Sequence, residues 1–102
     1  MQSIHGRKNV HCAHKCVVNM INATTVQNDV IVRRFVNSMN MVMDSQDEYV
    51  IMQLMMGNMI MMYEYAIKED HNKFAKKVRK LIYHGWHGNT RCNKAIIMCV
   101  NP

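Results

Sequence analysis

Residues 50–67 read Val50-Ile51-Met52-Gln53-Leu54-Met55-Met56-Gly57-Asn58-Met59-Ile60-Met61-Met62-Tyr63-Glu64-Tyr65-Ala66-Ile67, and the fold class follows from them. Fourteen of these eighteen residues are Val, Ile, Leu, Met, Tyr or Ala, which makes the stretch apolar nearly all round. Eighteen residues is the lower limit for crossing a bilayer. Glu64 and the Gly57-Asn58 pair count against a membrane span. A central helix surrounded by others is the better reading. Met52, Met55, Met56, Met59, Ile60 and Tyr63 are expected to be mostly buried. Met55, Met56, Met59 and Met62 are also the candidates for an apolar contact surface, because methionine deforms to fit a partner. A homodimer is one expected way of hiding that surface.

The flanks extend the helical pattern. Upstream, Ser45-Gln46-Asp47-Glu48 has the form of a capping box, so this helix should start near Gln46 and run to about Glu69. Before it, Val26, Val30, Phe35, Val36, Met39, Val42 and Met43 predict a helix capped by Thr24 or Thr25. Val10, Ala13, Val17, Met20 and Ile21 predict a first helix over 9–21. Downstream, Phe74, Ala75, Val78, Leu81 and Ile82 predict a helix from Asp70 or Asn72 to about His84. Gly85-Trp86-His87-Gly88 should end it. Residues 93–100 read as a short final element, helical or extended. With no repeat or linker, 1–102 is expected to be a single helical domain. The predicted fold is all-α, a compact bundle of four helices plus a short C-terminal element around the Met-rich helix.

Charge is unevenly distributed. The net charge is +6, but residues 29–70 hold all seven acids and residues 71–102 hold seven bases and none. Such asymmetry favours an acidic partner: a protein or glycoprotein surface, a membrane, or nucleic acid. On the predicted fourth helix Lys73, Lys76, Lys77, Arg79 and Lys80 take the face opposite the apolar residues. With Trp86 and Arg91 they are the candidate partner-binding residues. Tyr83 and Trp86 beside these cations also suit stacking on nucleic-acid bases.

Chemistry is poorly represented. There is no Gly-rich phosphate loop, no Gly-x-Ser-x-Gly and no His-Glu-x-x-His, so no catalytic residue and no cofactor are expected. Glu64 is the one carboxylate placed on an apolar helix, with Arg33 or Arg34 as expected partners. His11, Cys12, His14 and Cys16 are soft ligands within six residues, but they match no common zinc framework. Disulfides or free thiols are the better reading of Cys12, Cys16, Cys92 and Cys99. Four cysteines allow three pairings, and an even count in a short chain points to an oxidising compartment. Residues 1–20 carry no apolar run of a signal peptide.

Several pieces together resemble a known family. His5-Gly6-Arg7 precedes a long helical stretch. Asp47-Glu48-Tyr49 then opens a helix that passes Gly57 and ends Met62-Tyr63-Glu64-Tyr65-Ala66-Ile67-Lys68-Glu69-Asp70-His71-Asn72. This order resembles the gastropod (abalone-type) sperm lysins and their fusogenic acrosomal paralogues. The resemblance implies a secreted, basic, all-helical protein that acts without catalysis on an egg-envelope glycoprotein or a membrane. The alternative reading is a small basic nucleic-acid-binding regulator of phage or another AT-rich genome.

Overall fold

The computed structural model describes the backbone of residues 2–85 and the side chains of residues 10–83. These residues form four helices: α1 (Gln2–Asn22), α2 (Val30–Val42), α3 (Glu48–Lys68) and α4 (Asn72–Lys80). A π-helical turn, Leu81–Gly85, follows α4 directly. No strand occurs among the described residues. The fold is therefore the all-α bundle that the periodicity predicts. The expected final element at 93–100 lies outside the described residues.

The helix starts differ from expectation, and the reasons are local. α1 begins seven residues earlier than its apolar pattern. α2 is capped by Asp29, not by Thr24 or Thr25. The Asp29 carboxylate accepts from Ile31 N at 2.8 Å and Val32 N at 3.2 Å, which satisfies two of the amides a helix start leaves unpaired. The Thr24 hydroxyl instead donates to the Ile21 carbonyl at the end of α1. α3 is capped by Asp47, whose carboxylate accepts from Tyr49 N at 2.9 Å. Ser45 lies two residues ahead, accepting from Asp47 N at 3.2 Å.

α3 ends in a Schellman motif. Asp70 takes the left-handed conformation at φ 58°. His71 N donates to Ala66 O at 2.8 Å and Asp70 N to Ile67 O at 3.2 Å, the two reverse bonds that define the motif. The turn lets α4 fold back onto α3 after three residues.

α3 is central. It packs against α1, α2, α4 and the π-helical turn. Ile51, Met55, Met59, Met62 and Ala66 face inward and are fully buried. Val10, Val17, Met20 and Ile21 of α1, Val32, Val36 and Met39 of α2, and Phe74, Val78 and Leu81 from the α4 side complete one continuous core.

The other side of α3 is not wrapped. Met52, Met56 and Tyr63 are only partly buried, and Ile60 is 43% exposed, against its expected burial. Three bundle neighbours cover only part of a helix perimeter. The proposed apolar surface must also be corrected. Met55, Met59 and Met62 lie in the core, and of the four candidates Met56 alone retains partial exposure. The exposed apolar residues of α3 are Tyr49, Val50, Leu54, Ile60, Met61 and Ile67.

A candidate basic recognition face on helix α4

α4 sorts its residues by face with the 3.6-residue period. Phe74, Ala75 and Val78 turn inward and are buried. Lys73, Lys76, Arg79 and Lys80 turn outward and are exposed, while Lys77 is half-buried. Lys77, Arg79 and Lys80 occupy the last turn, where cations complement the negative end of the helix dipole. No acid occurs between His71 and Pro102. Among the described residues none of the five cations pairs with a carboxylate.

The π-helical turn shapes the end of this face. Leu81 stays in the core, Ile82 is partly buried, and Tyr83 emerges into solvent. The Arg79 guanidinium lies 5.7 Å from the centre of the Tyr83 ring, within cation–π range. Lys76, Arg79, Lys80 and Tyr83 line a groove of about 370 Å³. Three cations around one aromatic face can hold an anionic group and an apolar surface together. Sequence reasoning placed all five cations correctly on one face. It also set Tyr83 beside these cations, one helical turn after Arg79; the π-helical turn was not expected. Trp86 and Arg91 lie outside the described residues.

The other candidate residues fall elsewhere. Glu64 is exposed and makes no ion pair with Arg33 or Arg34 among the described residues. Arg33, its expected partner, donates to Asn22 Oδ1 at 3.1 Å and to the Gln27 carbonyl at 3.5 Å. His14 lies on α1 and its Nε2 donates to Asn40 Oδ1 of α2 at 2.9 Å. Burial holds the His14 ring below the ordinary histidine value. The Asn40 bond opposes that shift, and His11 adds to it. No group of three or more His, Cys, Asp or Glu among the described residues is arranged to hold a metal ion. Cys16 is buried and Cys12 half-buried, and neither is a free thiol among the described residues. Cys92 and Cys99 lie outside the described residues. No described helix is long and apolar enough to cross a membrane.

A second polar cluster clips the helix ends together. Tyr65 Oη donates to the Asp29 carboxylate, at 3.1 Å to Oδ1 and 2.9 Å to Oδ2. His71 Nε2 is 3.6 Å from Asp29 Oδ2. The rings of Phe35 and His71 lie 6.4 Å and 6.2 Å from that of Tyr65. Burial pushes the Asp29 carboxyl up. The Val32 amide, the Tyr65 hydroxyl, the Ile31 amide and His71 outweigh it and hold the group below the usual aspartate value. Every member is thus occupied in joining the start of α2 to the α3–α4 turn, which is a structural task. Sequence reading missed this cluster, because its members are 36 and 42 positions apart from Asp29.

No protein-family model matches the chain, and neither a curated protein nor a solved structure matches it.

Proposed function

We propose that this protein is a non-enzymatic recognition module whose α4 face holds an acidic macromolecule. One observation carries the reading: Lys73, Lys76, Arg79 and Lys80 are exposed on one face without a carboxylate partner among the described residues. Cations not neutralised within the chain keep their attraction for an anionic surface and speed its approach. The preferred partner is an acidic protein or glycoprotein surface, with an anionic membrane surface as a further option. The resemblance to gastropod sperm lysins points the same way, to an egg-envelope or gamete interaction. Cys12 and Cys16, neither of them a free thiol among the described residues, are read as disulfide-bonded, which suits an oxidising, secreted setting.

One observation favours a second reading. The Arg79–Tyr83 pair offers a stacking platform beside charge, which suits a single-stranded nucleic acid.

The experiment uses the full chain with three probes: a sulfated polysaccharide, an acidic glycoprotein and an oligonucleotide. Binding should weaken at least 10-fold in Lys76→Glu/Lys80→Glu. Both positions are exposed, so the fold should persist. Tyr83→Ala separates the readings. It should weaken oligonucleotide binding by about 1–3 kcal/mol if bases stack there, and leave the polysaccharide nearly unaffected. Failure of all three probes to bind at low salt would refute the proposal.

A further inference from the structure

We infer that Asn22 is an N-glycosylation site, a modification that rests on the secreted setting proposed above. Asn22-Ala23-Thr24 has the acceptor form Asn-x-Thr, with no proline between. The chain holds eleven asparagines, and only Asn22 is followed two positions later by Ser or Thr. An N-linked sugar therefore has a single address.

Three residues make a short motif, and the fold must also leave it usable. Asn22 is the last residue of α1, and the chain turns directly after it. Asn22 and Ala23 are both exposed. The Asn22 amide is also oriented. Arg33 Nη1 lies 3.1 Å from Asn22 Oδ1. A guanidinium has donors only, so the atom it meets must be the amide oxygen. Nδ2, the atom that takes the sugar, is the one left over. Glycosylation keeps Oδ1 and one N–H in place, so the Arg33 bond is compatible with the modified side chain. Arg33 also donates to the Gln27 carbonyl at 3.5 Å, and so holds the α1–α2 turn at both ends. In the folded chain the Thr24 hydroxyl donates to the Ile21 carbonyl at 2.6 Å. The sugar is thus attached before the end of α1 closes.

The transfer balances with one co-reactant, a lipid-linked oligosaccharyl diphosphate. A bond forms between Nδ2 and the anomeric carbon of the sugar. The bond from that carbon to the diphosphate oxygen breaks, the lipid diphosphate leaves with the electron pair, and Nδ2 gives up one proton. The product places a bulky, solubilising group on the surface. It stands at the end of the bundle where Thr25 and Val26 form a cleft with His71 and Lys73 at the start of α4. The groove of Lys76, Arg79, Lys80 and Tyr83 lies towards the other end of α4, so the attachment point is set apart from it.

Expression of the full chain behind a cleavable secretion leader in insect cells, with medium and cell fractions both read, tests this. The leader delivers the chain to the secretory lumen whatever its natural compartment. The result therefore speaks for the site, and the state of the four cysteines speaks separately for the secreted reading. Peptide-N-glycosidase should produce one mobility shift and leave aspartate at position 22 in the peptide mass spectrum. Asn22→Gln and Thr24→Ala should abolish the shift, and Thr24→Ser should keep it. Far-UV circular dichroism should be the same before and after the sugar is removed. A wild-type chain unmodified at Asn22 in both fractions would overturn the inference. So would a shift that survives Asn22→Gln, or helicity that is regained only when the sugar is removed.

Discussion

Asp29 is one side chain on which three elements depend, and removing it should cost more than an ordinary helix cap. In Asp29→Ala the amides of Ile31 and Val32 lose their acceptor, as does the Tyr65 hydroxyl. Loss of an aspartate cap costs about 0.5–2 kcal/mol. Here the same carboxylate serves other partners, so the upper end applies, about 2 kcal/mol. At about 4–8 °C per kcal/mol for a domain of this size, Tm should fall by roughly 8–16 °C. Asparagine caps a helix about as well as aspartate, so Asp29→Asn removes the charge but keeps the cap. It should lose less than half as much. Urea unfolding followed by circular dichroism at pH 7 measures both. The Asp29 carboxyl lies below its ordinary value in the fold. Its charge-dependent stabilisation is then complete above the unfolded value of about 4, and is lost as pH falls through the lowered folded value. The gap between wild type and Asp29→Asn should therefore close on acidification below pH 4. Equal losses in the two variants would refute the argument that the cap dominates. A loss below about 0.5 kcal/mol in Asp29→Ala would refute the junction altogether.

Asp70 occupies a left-handed position that glycine adopts without steric cost. Asp70→Gly should raise stability by about 0.5–1 kcal/mol in thermal unfolding, and Asp70→Val should lower it. His14 is held below the ordinary histidine value, so its neutral form is the one the fold favours. The corresponding stability is present above about pH 6.5, and is lost as pH falls towards the lowered value. His14→Gln should flatten that part of the stability–pH curve. Met55 is fully buried, and Met55→Ala should cost about 2–5 kcal/mol in urea unfolding. Cβ atoms one helical turn apart are about 5–6 Å from each other, too far for a disulfide at about 3.5–4.5 Å. Cys12 and Cys16 should then bridge to Cys92 and Cys99. Non-reducing peptide mass spectrometry should find Cys12 and Cys16 each linked to Cys92 or Cys99, and a Cys12–Cys16 link or four free thiols would reject the pairing.

The helices were legible because their periodicity is strong. On α4, Phe74, Ala75, Val78 and Leu81 alternate with cations, so both the helix and its inner face could be read. On α3 the same method found the helix and the burial of Met55 and Met59, but it misplaced Ile60 and Met62. When Met, Ile and Leu surround a helix, apolarity no longer marks the inward side. Neighbouring helices decide it, and Met55, Met59 and Met62 went inside while Leu54 and Met61 did not. Caps were misplaced for a related reason. Thr24, Thr25, Asp29, Ser45 and Asp47 all have capping side chains, and the choice among them depends on where the chain leaves the preceding helix. The Asp29–Tyr65–His71 cluster left no local signature at all. The basic face was legible in full up to Lys80, and the π-helical turn that presents Tyr83 was not.

The methionines divide the molecule into two chemical clocks. Met41 and Met61 are 71% and 53% exposed, whereas Met39, Met55, Met59 and Met62 are at 0%. Peroxide converts an accessible thioether to the sulfoxide, so Met41 and Met61 should react at the rate of the free amino acid. The inner four can react only when the helices part, at a rate scaled by the population of opened molecules. The ratio of the two rates, read by peptide mass spectrometry, thus measures the free energy of opening without denaturant. The reaction also has a direction. Once an inner sulfur gains its oxygen, the polar group no longer fits the core, and the next opening becomes easier than the last.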